Sequence, residues 1–237
     1  MIERLPGPDI RLRHLGGAAR ILSTALLAAG AAQVALAYNV TLTPAAPKAI
    51  YFQVGNGLFT GGNYTPIQGN GQPTGTPGNN STINKVTVSV AAGVVGNSAA
   101  QAMTTDSTTA NSYWDGYAFC NPPAQLYIGG FYRTPGAGAN SATVTATVPA
   151  ALMDAAGDTI PFSQISWTSA GNGDTTANGF LPEVFPGGTF VNGGAQAIGA
   201  IAQNHWSESC WTFSYANSVV PAAGTYTGRV TYTLSAP

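Results

Sequence analysis

The chain has 237 residues, of which 44% are hydrophobic and only 7% charged, with eight basic and nine acidic side chains giving a formal net charge of −1. Ordinary soluble domains are about 25% charged, so this surface is wetted by hydroxyls, amides and backbone. The basic footprint of a nucleic-acid binder is excluded.

The N-terminal stretch carries Arg4, Arg11, Arg13 and Arg20 ahead of an apolar run from Ile21 to Ala29, and closes on Ala35-Leu36-Ala37. A basic end, a short apolar segment and small residues before a cut form the layout of a secretory signal peptide. Cleavage is expected between Ala37 and Tyr38. The alternative, a retained anchor, needs about 20 consecutive apolar residues, whereas residues 21–37 are interrupted by Ser23, Thr24, Gly30 and Gln33. No stable membrane span is expected after cleavage. Residues 38–237 are then long enough for one sizeable core and are read as a single secreted domain.

Within that domain, alternation of apolar and polar residues predicts half-buried strands. Val86 to Val90, Ala142 to Val148 and Tyr226 to Leu234 show it most cleanly, with threonines whose branched Cβ favours extended backbone. Shorter candidates are Asn39 to Thr43, Ile50 to Val54, Tyr113 to Cys120, Gln125 to Ile128, Gln164 to Thr168, Ala195 to Ala202 and Cys210 to Tyr215. About ten short strands divided by Gly, Pro and Asn clusters indicate an all-β fold, an immunoglobulin-like or jelly-roll-like antiparallel sandwich. One short helix is expected over Pro149–Gly157, with Pro at its first turn and Gly as its stop. Residues 55–80, rich in Gly, Pro and Asn, read as a long mobile loop. A second loop, 174–194, carries Phe180, Leu181, Val184, Phe185 and Phe190, which would pin it to the sheet or reach toward a partner.

Cys120 and Cys210 both fall past the leader and would reach an oxidising compartment, so they are expected to pair. The closed loop of about 90 residues corresponds to roughly 4–5 kcal/mol in the chain-entropy model. His205 is the sole histidine beyond Ala37, too few for a conventional zinc shell around those thiols. No cofactor or metal site is expected. The segment His205-Trp206-Ser207-Glu208-Ser209-Cys210-Trp211 is where a hydrolase reading would begin, using His205 with Ser207, Ser209, Asp115 or Glu208, but no G-x-S-x-G elbow accompanies it. No catalytic residue is assigned. Tyr113-Trp114-Asp115-Gly116-Tyr117 sets aromatics beside an acid, so Trp114, Tyr117 and Trp206, with Trp167 and Trp211, are candidates for a glycan platform against the alternative that they build the core.

The C-terminal Gly224-Thr225-Tyr226-Thr227-Gly228-Arg229-Val230-Thr231-Tyr232-Thr233-Leu234 resembles the closing strand of chaperone-usher type fimbrial subunits, including the spore coat U group. That resemblance implies an immunoglobulin-like sandwich lacking one strand, completed by the N-terminal extension of a sister subunit, with a periplasmic chaperone and usher as partners. Tyr38, Val40 and Leu42 are the corresponding candidate plugs at the new N-terminus, and Tyr226, Val230, Tyr232 and Leu234 mark the second candidate assembly strand. Pro44 and Pro47 end the first of these early, and Cys120 with Cys210 departs from the family's usual pairing. The resulting expectation is a non-enzymatic protein of a bacterial surface, periplasm or filament, acting in assembly or adhesion.

Overall fold

The computed structural model describes residues 38–42, 44, 46–57, 59–60, 76–77, 82–114, 118–171 and 185–237. The predicted signal peptide, residues 1–37, and most of the predicted loop 55–80 lie outside the described residues. Among the described residues the chain forms β1 (Tyr38–Thr41), β2 (Ala49–Val54), β3 (Phe59–Thr60), β4 (Thr76–Pro77), β5 (Val86–Thr87), β6 (Gln101–Ala102), β7 (Thr104–Thr105), β8 (Leu126–Arg133), β9 (Ser141–Val148) and β10 (Ala151–Met153). There follow β11 (Thr159–Pro161), β12 (Ile165–Ala170), β13 (Gly188–Thr189), β14 (Gly194–Ala202), β15 (His205–Tyr215) and β16 (Thr231–Ser235). Every described pairing is antiparallel. The protein is an all-β sandwich, as its composition and patterning indicate.

The larger sheet runs β13-β12-β15-β8-β2, with β1 and β6 also bonded to β15. The smaller runs β14-β9-β16. Between them lies the main core, in which Ile128 and Tyr132 of β8, Trp167 of β12, and Trp211, Phe213 and Tyr215 of β15 meet Ala142, Val144, Ala146 and Val148 of β9. β9 alternates perfectly between that core and water because only one of its faces is covered. In β14, Ile198 and Ile201 are both buried although three residues apart, which a regular strand forbids. A bulge between Ala197 and Gly199 shifts the parity and turns both inward. Phe185 and Phe190 are buried in the same core, so the 174–194 segment is pinned at its described end.

Four expectations need correction. Residues 149–157 form no helix; Ala151–Met153 and Thr159–Pro161 pair as a hairpin. A two-turn helix is marginal in isolation. Here the Asp154 carboxylate instead accepts from the backbone N–H groups of Ala156 (3.0 Å) and Asp158 (2.8 Å), and Gly157 takes a positive φ of 94°, so the acid that looked like a cap closes a tight turn. Of the Tyr113–Cys120 segment, residues 115–117 lie outside the described residues, and the described ones form no strand but an isolated bridge of Ala118 with Asn111. The last strand is shorter than its alternation suggests: only Thr231–Ser235 pairs with β9. At Gly228 an added Cβ would sit 2.7 Å from both Leu152 Cδ2 and Phe162 Cε2, so the chain there crosses the β10–β11 hairpin, with Thr227 bridging Met153. Val86–Val90 keeps its inward alternation, but only Val86 and Thr87 join a ladder.

Trp211 is fully buried against Trp167 at 5.2 Å between ring centroids and Tyr232 at 6.1 Å. Trp211→Ala is expected to cost about 3–5 kcal/mol through lost burial and a residual cavity, while Thr143→Ala on the wet face of β9 costs less than about 1 kcal/mol. Urea unfolding of the two variants checks the contrast.

Candidate functional site

β15 is the strand on which the sequence-predicted residues converge. Period two places His205, Ser207, Ser209 and Trp211 on its core side, and Trp206, Glu208 and Cys210 on the opposite side. That opposite side carries a second buried cluster of Leu42, Tyr51, Trp114, Phe119, Cys120, Tyr127, Phe131, Trp206 and Cys210. Gly129 of β8 lies in register with Glu208; a Cβ there would approach within 2.9 Å of Glu208 Cβ and collide with the Tyr127 ring. The missing side chain is what lets a carboxylate sit inside this cluster.

Glu208 is completely buried and accepts hydrogen bonds from the hydroxyls of Ser112, at Oε1, and Tyr127, at Oε2 (2.6 Å). Ser112 Oγ in turn accepts from the backbone N–H of Trp114 at 2.9 Å. Burying a carboxylate is costly unless donors replace its water, and these hydroxyls do so. The Tyr127 phenol is driven far above its ordinary value by burial first and by the charge and acceptor of Glu208 second. Tyr51, whose hydroxyl donates to Gln53 Oε1, is raised by burial and then by Tyr113.

The two cysteines form the Cys120–Cys210 disulfide with Cα atoms 5.5 Å apart. Among the described residues His205 Nδ1 lies 2.8 Å from the Gln203 carbonyl. Glu208 lies across the sheet from His205, Ser207 and Ser209, and Asp115 is outside the described residues. A glycan platform on the predicted tryptophans is also absent: Trp114, Trp167, Trp206 and Trp211 are all buried, with Trp206 against Phe131 at 5.8 Å and Trp114 at 6.2 Å. Stacking on a sugar requires an open ring face, and these faces are used inside the protein. Tyr117 lies outside the described residues. Among the described residues no group of three or more His, Cys, Asp or Glu gathers to hold a metal, and no helix is long and apolar enough to cross a membrane.

Of the candidate assembly strands, β1 is seated against β15 of its own chain in the register Tyr38–Glu208, Asn39–Ser207, Val40–Trp206 and Thr41–His205. Leu42 follows with a backbone bond to the Asn204 carbonyl at 2.6 Å and is buried in the second cluster. Val230, Tyr232 and Leu234 pack onto the main core, as does Tyr226, and among the described residues β16 pairs with β9 alone, along one of its two edges. No family model, curated protein or solved structure matches the chain.

Tyr127→Phe is expected to destabilise the fold by about 1–3 kcal/mol, because Glu208 then loses a donor inside the sheet; chemical denaturation at neutral pH measures it. Since the folded phenols of Tyr51 and Tyr127 are raised, their contribution is fully present below the unfolded tyrosine value of about 10 and is lost as pH climbs toward the folded values. Thermal melts between about pH 8 and 12 should show a plateau followed by a fall, with a gentler fall in Tyr127→Phe.

Proposed function

We propose that this is a secreted, non-enzymatic structural protein of a bacterial surface whose copies assemble by exchanging β1. In the exchanged form, β1 of one copy docks beside β15 of the next, in the ladder it otherwise makes with its own chain. The observation that carries this reading is the seating of the predicted plug segment as a strand against residues 205–208. Leu42 is the described side chain through which the segment enters a buried cluster. A strand paired through its backbone can be replaced by an identical strand from another copy that makes the same bonds, which is the basis of domain swapping.

The rest of the sequence is consistent with that use. Neither β1 nor β16 contains a charged residue, although charges are the usual means of blunting an edge. The leader and the resemblance of the C-terminal segment to fimbrial subunits add export and a surface location to the reading. A periplasmic chaperone that shields the β15 edge until exchange, with an usher to receive the subunit, completes it.

Deletion of Tyr38 to Thr43 is expected to leave a protein that stays monomeric at concentrations where the intact secreted chain oligomerises, measured by light scattering. A synthetic Tyr-Asn-Val-Thr-Leu-Thr peptide should bind the deleted form and not the intact one. Unchanged oligomerisation after the deletion sinks the proposal.

A further inference from the structure

We infer that the Cys120–Cys210 disulfide is a lock on β1, closing a strap over the strand's seat once the strand is in place; the inference rests on the exchange reading above. The strap comprises residues 110–114 and 118–120, held to each other by the Asn111–Ala118 bridge and by the N–H groups of Phe119 and Cys120 bonding to the Ala110 carbonyl, both at 2.8 Å. It is tied to β15 at two points. Ser112 donates to Glu208, and Cys120 is bonded to Cys210.

The position of those ties gives the strap its role. β1 meets β15 along its edge at residues 205–208, with Tyr38 opposite Glu208 and Val40 opposite Trp206. The strap meets the same two residues from the face: Ser112 holds the Glu208 carboxylate, and the Trp114 ring lies 6.2 Å from that of Trp206. Leu42, the side chain that anchors the end of β1, shares its buried cluster with Trp114, Phe119 and Cys120 of the strap. Withdrawing β1 therefore uncovers apolar surface that the strap helps to bury, and lifting the strap uncovers the seat of Leu42. Two segments far apart in sequence are coupled through two residues of one strand, Trp206 and Glu208.

The chemistry sets the order of events. Closing the lock transfers two electrons from the Cys120 and Cys210 thiols to an external disulfide of the oxidising compartment, which leaves as two thiols carrying the two protons, through a mixed-disulfide intermediate. Both sulfurs are buried when the strap is closed, with Cys120 4% exposed and Cys210 fully enclosed. An external disulfide can reach them only while the strap is raised, which is the state in which β1 is least held. Exchange comes first and oxidation seals it, and the same burial then keeps reductants out.

Hydrogen exchange of the full secreted chain, read by mass spectrometry on peptides covering 38–42, 141–148 and 194–202, tests the lock without requiring oligomers. In the paired variant Cys120→Ser with Cys210→Ser, protection at 38–42 should fall on the order of tenfold or more relative to the oxidised protein, while 141–148 and 194–202 change much less. Ser112→Ala keeps the disulfide and cuts only the other tie, so it guards against a paired variant that does not fold. It should produce a smaller fall confined to the same peptide. Unchanged protection at 38–42, or an equal fall in all three peptides, overturns the lock. Oligomerisation that survives deletion of Tyr38 to Thr43, alongside protection at 38–42 that still depends on the disulfide, would instead count against strand exchange alone, so the two ideas fail separately.

Discussion

The structure depends on keeping one long strand satisfied while it is buried from both sides. Eight of the eleven residues of β15 are buried, and Trp206, Ser207, Glu208, Ser209, Cys210 and Trp211 are enclosed entirely. Backbone N–H and C=O groups in such a place have no water to turn to, so each must be bonded within the protein. Residues 205–208 accordingly lie between β1 and β8, and residues 214–215 between β12 and β6. The short strands β1 and β6 are explained by this demand. Each supplies hydrogen bonds to a stretch of β15 that would otherwise end as an open edge inside a covered sheet.

That same double burial decides what could be read from the sequence. β9 was legible because one face is wet and the other dry, so Thr and Val or Ala alternate along it. β8 and the first half of β15 carry no alternation, since both of their faces need apolar or small residues. Gly129-Gly130 reads locally as a break, yet it lies mid-strand because neighbours approach too closely for a side chain: a Cβ on Gly130 would lie 3.0 Å from the Phe52 Cα of β2 and nearer still to the Tyr51 carbonyl. The turn at Asp154 was misread for a different reason. An acid next to a Gly stop is ambiguous between helix cap and hairpin turn, and the partner that settles it, β11, is defined only by tertiary pairing.

The candidate site was legible in its residues but not in their roles. Trp114 and Trp206 stand out in sequence because they are large and lie near acids, and either a sugar platform or a core produces that signature. What separates the two is whether the far face of the larger sheet is covered, and that follows from Ser112, Phe119 and Cys120 folding back over it. The cysteines were read correctly as a pair because export makes pairing the default. Glu208 carried no comparable signal, since nothing local announces that two hydroxyls from residues 81 and 96 positions away will converge on its carboxylate.

A buried carboxylate in a protein with so few charges also bears on how specific the seat of β1 is. A flat apolar edge would accept many strands and slip in register, because a one-residue shift merely swaps the faces of the added strand. Beside β15 that freedom is curtailed. Glu208 must keep its Ser112 and Tyr127 donors, Trp206 must stay between Phe131 and Trp114, and the Asn204 carbonyl is placed to receive Leu42. Sliding β1 by one residue would present the polar Thr41 or Thr43 where Leu42 now enters an apolar cluster. Polar placement therefore selects one register, and backbone bonding supplies the hold. Under the proposed exchange, an edge with those two properties would take its own strand from either copy.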